Sequence, residues 1–246
     1  MRSGASSRQA RSPSVEEAAR LLADAGSDTP RLDAELLLRE GADISRRLAG
    51  EPMAYILGRK GFRWIELQVD RRVLIPRPDT ETLVEVALSE AAARVHDVGT
   101  GSGAVALALK NERPGLVVSG SDASADAVDV ARANAAKLGL DVSFSVARGL
   151  PPGTDADLVV ANLPYVREDE WDALQPEIRL YEPREALIAG PDGLDAIREL
   201  IAQAPRGTKF ALEHGPDQAE AVRGLLRETR TVQDLGGRDR VTLGIK

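Results

Sequence analysis

The sequence contains no cysteine, two histidines and only 3% aromatic residues. The missing cysteines exclude disulfides, thiolate zinc sites, iron–sulfur clusters and cysteine nucleophiles together. They also suit a reducing compartment, and a cytoplasmic location is expected. Two histidines are too few for a histidine-rich metal site, and no metal is expected. Scarce aromatics leave few stacking platforms for single-stranded nucleic acid. No apolar run reaches about 18 residues, so no segment is expected to enter a membrane. The first 13 residues carry arginine and serine without the apolar stretch of a secretory signal; a disordered tail is expected there. Basic residues number 32 against 39 acidic, a net charge of −7. That balance disfavours a protein that chiefly grips phosphate backbones, and nucleic acid is not expected as a substrate.

What is present is 43% hydrophobic residues in a chain of 246, enough for one α/β domain with a small appendage. Ser14, followed by Glu17 three residues on, has capping-box spacing and opens a helix that Gly26 ends. A second helix is expected over 30–40, with Leu32, Leu36 and Leu37 on one face and Gly41 as its stop, and a third over 44–48. From Pro52 the pattern alternates apolar and polar, with glycines at 58 and 61, which predicts a β-hairpin turning at those glycines. A helix is expected over 81–92. Strands are then expected near 94–98, 117–121, 142–146, 158–161 and 209–213, with a closing pair at 231–235 and 240–245. Helices are expected at 104–111, 125–138, 193–204 and 217–228. Strand and helix alternating in this way specify a doubly wound parallel sheet, whose ligands sit beyond the carboxyl ends of the strands.

Asp97-Val98-Gly99-Thr100-Gly101-Ser102-Gly103 follows the first of these strands and opens a helix. Glycines there permit a tight turn and let backbone approach a ligand closely. Nineteen residues after Gly103 the next strand ends at Asp122, where a carboxylate can accept from both hydroxyls of a ribose. Such a loop suits a dinucleotide or S-adenosylmethionine, and Gly99, Gly101 and Ala104 even fit the relaxed dinucleotide pattern. The acid at 97 favours S-adenosylmethionine, because a carboxylate beside the loop repels a pyrophosphate but suits an ammonium and a sulfonium. The remaining reading is a structural turn that holds no ligand.

The fourth strand ends in Asn162-Leu163-Pro164-Tyr165. An amide or aromatic-amine nitrogen is a poor nucleophile because its lone pair is delocalised. The Asn162 side-chain carbonyl and the Leu163 backbone carbonyl can each accept one N–H of such a nitrogen, orienting its lone pair toward an electrophilic methyl group. Pro164 stiffens the turn, and Tyr165 can lie against a planar target. The plainer reading is an ordinary turn, since Asn and Pro are common there.

With these motifs in place, the chain resembles the protein-glutamine methyltransferases that modify peptide chain release factors (the HemK/PrmC family), over roughly residues 30–246. Pro52-Met53-Ala54-Tyr55-Ile56-Leu57-Gly58 resembles that family's inter-domain hairpin, and Val73-Leu74-Ile75-Pro76-Arg77-Pro78-Asp79-Thr80-Glu81 its most specific signature. Tyr181-Glu182-Pro183, Asp192-Gly193-Leu194-Asp195 and Gly237-Arg238-Asp239-Arg240-Val241 match later family segments in order. The resemblance implies methyl transfer from S-adenosylmethionine to the side-chain amide of the glutamine in a Gly-Gly-Gln loop. It implies that Asp97, Gly99, Thr100, Gly101, Gly103, Asp122 and Ala123, with Asn162, hold the methyl donor. Asn162, Leu163, Pro164 and Tyr165 are implied as catalytic, with Arg77, Pro78 and Thr80 beside Asn162, Pro164 and Tyr165 on the substrate side. Read from the residues alone, 77–80 is a proline-bounded turn with Asp79 as N-cap.

Three features depart from the family. Leu163 stands where the family usually has proline, as in adenine methyltransferases acting on ribosomal RNA, so an RNA- or DNA-modifying enzyme is one alternative. A non-catalytic S-adenosylmethionine-binding translation factor is another. Ala147-Arg148-Gly149 lacks the acid that usually faces the adenine. The amino-terminal helical part is short. His96 and His214 are expected as hydrogen-bonded core residues, Trp64 and Trp171 as packing residues, and the 167–171 stretch as a solvated helix start. The expected architecture is a Rossmann-like class I methyltransferase with a seven-stranded, mostly parallel sheet over 77–246. A shortened helical domain over 14–50 and a linking β-hairpin over 51–76 precede it. A monomer acting on a release factor is expected.

Overall fold

The structure is a computed structural model and describes residues 13–246. The expected tail therefore lies outside the described residues, except for Pro13. The chain divides into two compact units on either side of the Leu57–Gly58 bond.

The first unit is helical: α1 Val15–Asp24, α2 Pro30–Glu40, α3 Ile44–Leu48 and α4 Met53–Leu57. The capping box forms as its spacing demands. Glu17 N donates to Ser14 Oγ at 3.2 Å, and Ser14 N donates to Glu17 Oε2 at 2.9 Å. Proline at the first position of α2 loses no helical bond, and Gly41 ends that helix at φ 64°, a left-handed conformation that glycine adopts freely. Ala18, Leu22, Ala34, Leu37 and Ile56 form the core. Leu32, expected on the apolar face of its helix, is exposed, as is Leu21 on α1. The buried stripe is carried instead by residues three and four apart, as helical geometry requires. Asp33 is buried, and accepts from Ser27 Oγ, Thr29 Oγ1 and Arg47 Nε at 2.8–3.0 Å.

The second unit opens with a hairpin, β1 Arg59–Phe62 and β2 Ile65–Gln68. The structure departs from the expected hairpin in two details. The stretch 53–57 is helical, and the hairpin turns at Arg63-Trp64 rather than at Gly58 and Gly61. Arg63 adopts φ 47° while its guanidinium pairs with Glu112 and with Glu85. Those ion pairs hold a conformation that non-glycine residues seldom adopt. The turn leaves Trp64 79% exposed, so it is not the packing residue expected.

The elements that follow are α5 Glu81–Ser89, β3 Arg94–Val98, α6 Ala104–Glu112, β4 Val117–Asp122, α7 Ala125–Leu138, β5 Ser143–Val146 and β6 Leu158–Ala161. Then come α8 Pro176–Tyr181, α9 Asp195–Gln203, β7 Lys209–Glu213, α10 Ala219–Gly224, β8 Arg227–Gln233 and β9 Asp239–Ile245. The sheet has seven strands in the order β5-β4-β3-β6-β7-β9-β8. Its first five strands are parallel, and β9 runs antiparallel to both its neighbours. All four residues of β6 are buried, as a strand covered on both faces requires. The expected helix 217–228 ends early, at Gly224, and β8 begins at Arg227. Arg, Glu and Thr blunt this edge strand against foreign pairing, and that polarity removed the apolar alternation that marks a strand. Strand order reverses between β3 and β6, which opens a crevice at their carboxyl ends.

Candidate active site

The glycine loop leaves β3 at the reversal point. Gly99, Gly101 and Gly103 take φ 73°, 55° and 83°, values that side-chain-bearing residues adopt only at a cost. The loop is bound by its own neighbourhood. Gly99 N and Thr100 N both donate to Ser121 O, at 2.8 and 3.0 Å. Gly101 N donates to Asp122 Oδ2 at 2.9 Å, and Ser124 N to Asp122 Oδ1 at 2.9 Å. These N–H groups are committed, which disfavours a pyrophosphate that would need them. Ala123 lies exposed just beyond Asp122. Asp97 is fully buried and accepts from Thr100 Oγ1 at 2.7 Å. Burial pushes its carboxyl up to about 7, against the lowering effect of that bond. A buried acid with no cationic neighbour among the described residues favours an incoming cation, which fits the ammonium and sulfonium of S-adenosylmethionine.

Across the crevice, Asn162 follows β6. Its Nδ2 donates to Thr80 Oγ1 at 2.9 Å. Among the described residues neither its Oδ1 nor the Leu163 carbonyl has a hydrogen-bond donor. Two acceptors are thus free on adjacent residues. The Leu163 side chain reaches the glycine loop, where a Cβ on Gly99 would lie 2.8 Å from its Cδ2. The glycine at 99 is favoured by its φ of 73°, and any side chain there would also displace the end of Leu163. Tyr165 is half-buried, and burial raises its phenol. A cleft lined by Leu74, Arg77, Asn162, Leu163, Pro164 and Tyr165 opens here. A larger cavity of about 290 Å³ lies beyond Tyr165, between Arg167 and Gln218.

Residues far along the chain hold this turn and the 77–81 segment. Gln218 Nε2 donates to Tyr165 O at 2.9 Å and to Asp192 O at 3.1 Å. Gly193, at φ 72°, lies so close to the Tyr165 carbonyl that a Cβ would overlap it. Glu182 is buried, accepting from Ile75 N at 3.1 Å and from Arg77 Nη2 at 2.6 Å. Asp79 does not cap the following helix. It pairs with Arg238 at 3.2 Å and with Arg240 at 3.0 Å, while Pro78 stays exposed. Thr80 donates to Glu213 Oε1 at 3.2 Å. Buried Asn134 bonds both the N–H and the carbonyl of Gln68, and also Ser102 O, joining the hairpin to the glycine loop. Gln218, Asn134 and Glu213 were not foreseen from sequence. No spacing marks them, because the site partners named above are 26 to 133 residues away.

Both histidines are buried and hydrogen-bonded. His96 lies between Ser119 and Ser121 with its ring lowered to about 4 by burial, and His214 bonds Gly215 O and Thr242 Oγ1. The Arg184 guanidinium stacks over Trp171. Arg148 pairs with Glu199. Among the described residues no His, Asp and Glu group is arranged to hold a metal ion, and no helix is long and apolar enough to cross a membrane.

Residues 78–178 match the family model "Methyltransferase small domain". A release factor glutamine methyltransferase of Caulobacter vibrioides is 42% identical, with 92% of each chain covered. One of Neisseria gonorrhoeae is 44% identical, covering 84% of this chain and 82% of its own. The chain belongs to the release factor glutamine methyltransferase family. It is an S-adenosylmethionine-dependent methyltransferase of the class I fold. That fold recurs in the catalytic domain of hMettl16 solved with an RNA hairpin, at TM-score 0.59 and 14% identity, with 89% of this chain and 82% of that one covered. It recurs also in a Thermus thermophilus 16S rRNA N2 G1207 methyltransferase solved with AdoMet and guanosine, at TM-score 0.54 and 15% identity over 76% of this chain and 49% of that one. At those identities the likeness concerns the fold alone.

Proposed function

We propose that the protein methylates the side-chain amide nitrogen of the glutamine in the Gly-Gly-Gln loop of a peptide chain release factor. The observation that carries this reading is the pair of acceptors, Asn162 Oδ1 and the Leu163 carbonyl, which have no donor among the described residues and belong to a turn that lines a cleft and packs against Gly99 of the glycine loop. A primary amide nitrogen has two N–H bonds, and two fixed acceptors match them. S-adenosylmethionine would supply an electrophilic methyl carbon, whose bond to sulfur breaks as its bond to nitrogen forms, leaving S-adenosylhomocysteine, and the methylated nitrogen then sheds one of its two protons to water. Asp97 and Asp122 hold the donor from the glycine-loop side: Asp97 faces positive charge, and Asp122 accepts from the ribose hydroxyls. Asn162 and Leu163 draw on the two N–H bonds, so that the nitrogen lone pair, otherwise shared with the carbonyl, turns toward the methyl carbon. Pro164 pre-sets the turn, and Tyr165 offers a face for the planar amide. Arg77 lines the cleft on the substrate side, Pro78 lies exposed next to it in the chain, and buried Thr80 holds Asn162 from beneath. Leucine in place of proline at 163 leaves a backbone carbonyl in the same role, so the chemistry does not depend on that exchange.

The test is transfer of a radiolabelled methyl group. The protein is incubated with labelled S-adenosylmethionine and, separately, with release factor, with release factor whose loop glutamine is replaced, and with ribosomal RNA. Label is expected in the intact factor alone. Label in RNA but not in the factor would overturn the reading in favour of an adenine methyltransferase. No label in either would favour a non-catalytic binding protein.

A further inference from the structure

Glu213 ends β7, and its side chain is fully buried at the carboxyl edge of the sheet. Its Oε1 accepts from Thr80 Oγ1 at 3.2 Å, and Thr80 Oγ1 accepts from Asn162 Nδ2 at 2.9 Å. Among the described residues its Oε2 has no hydrogen-bond partner. A buried carboxyl with one oxygen unpaired is costly to keep. Neither the fold nor the acceptor pair explains this one.

We propose that Glu213 is a positioning residue, which through Thr80 sets the direction of a hydrogen-bond chain and so turns the carbonyl end of the Asn162 amide toward the substrate nitrogen. The inference rests on the assignment of Asn162 Oδ1 as an acceptor of the target N–H. A hydroxyl has one proton. An ionised carboxylate can only accept, so it takes the Thr80 proton. Thr80 then has only lone pairs to offer Asn162, and only the NH2 end of that amide can meet them. The carbonyl end is left facing the crevice. If Glu213 carries a proton, it can donate to Thr80. The Thr80 proton is then free to point at Asn162, and the amide can turn over. Its NH2 would face the N–H of the substrate, donor against donor.

Burial pushes Glu213 up to about 7, within the range where this switch matters. The charged groups around it are Arg240 on β9, which lowers it, and Asp79 ahead of α5, which raises it. The Tyr165 phenol also senses it. Arg240 is itself paired to Asp79 and Asp234, which limits how far it draws the proton off Glu213.

The test compares Glu213→Gln, Thr80→Ser, Thr80→Val and Asn162→Ala, each in the full chain. The readouts are kcat and KM for release factor at saturating S-adenosylmethionine from pH 5.5 to 9, and the affinity for S-adenosylhomocysteine. Glutamine keeps the shape but can present either end to Thr80, so the direction is no longer imposed. Glu213→Gln is expected to lower kcat at pH 8 about 10- to 100-fold. KM and S-adenosylhomocysteine affinity should stay within about twofold, on the same positional argument. The wild-type fall in kcat below about pH 7 should flatten in this variant. Thr80→Val should behave alike, and Thr80→Ser should restore both kcat and the acid limb. Glu213→Gln with unchanged kcat and an unchanged acid limb would overturn the inference. If Glu213→Gln does not fold, the Thr80 pair carries the test: equal kcat in Thr80→Ser and Thr80→Val would overturn it equally. Wild-type turnover in Asn162→Ala would instead remove the assignment of Asn162 on which the inference rests. Loss of turnover in Asn162→Ala with normal Glu213→Gln and Thr80→Val removes only the positioning role.

Discussion

The glycine loop and the Asn162 turn face each other across one crevice but are held by different means. The glycine loop is fixed by the adjacent strand: Ser121 and Asp122 take its N–H groups, and its acid is bonded three residues away by Thr100. The Asn162 turn is fixed by side chains remote in sequence. Thr80 holds Asn162, Gln218 holds Tyr165, and Gly193 leaves room for the Tyr165 carbonyl. The contrast suits a donor shared by many enzymes on one side and a particular acceptor on the other. It also predicts that the two halves fail in different ways.

The largest separation is expected from Asn162→Ala. It should lower kcat about 100- to 1000-fold, as loss of a preorganised polar group does, while cofactor affinity stays within about twofold by calorimetry because Asp122 and the glycine loop are untouched. Asp122→Ala should do the reverse. Hydrogen bonds to a charged group contribute about 1.5–3 kcal/mol, so Kd for S-adenosylmethionine should rise about 10- to 100-fold, with kcat at saturation little changed. Equal losses in rate and affinity for either variant would dissolve the distinction.

The pH dependence of cofactor binding is the next effect. Asp97 lies near 7 when buried alone and must ionise to face a cation. Affinity should therefore weaken about tenfold per pH unit below about 7, since each unit costs about 1.4 kcal/mol. In the unliganded protein the same shift acts on stability with the opposite benefit. Its folded value lies above the ordinary 3.8, so the folded state holds the proton more tightly. That contribution is fully present below about 4 and is lost as pH rises toward 7. Asp97→Asn should raise the Tm of the unliganded protein by an increment that grows over this range and then levels off, while binding S-adenosylmethionine more weakly. An affinity independent of pH would contradict the role of Asp97.

Gly193→Ala gives the smallest effect. Strain at positive φ costs about 1–3 kcal/mol, which corresponds to a Tm lowered by about 2–12 °C. The rate should fall with cofactor affinity retained, because the added Cβ displaces Tyr165 and not the glycine loop. A loss of affinity instead would mean that the two halves are not separately held.

The same division explains what was legible from sequence. The glycine loop, Asp122 and the Asn162 turn announce themselves by short spacing, and the alternation of strand and helix places both at one sheet edge. The capping box at Ser14 is equally local. Glu213, Gln218 and Asn134 carry no such mark, because they meet the site only through sheet order and helix packing. Trp64 was misread because its hydrophobicity signals burial, whereas its place at a two-residue turn signals exposure. The last strand pair is legible in the sequence, but β8 begins at Arg227 rather than near 231, because an edge protected by charge loses its apolar period.

The most direct measurement is mass-spectrometric localisation of the methyl group on a release factor after reaction with this protein. The account predicts one methyl on the side-chain amide nitrogen of the Gly-Gly-Gln glutamine, absent when Asn162→Ala replaces the wild-type enzyme. A methyl on any other residue, or an unmodified factor beside methylated RNA, would contradict it.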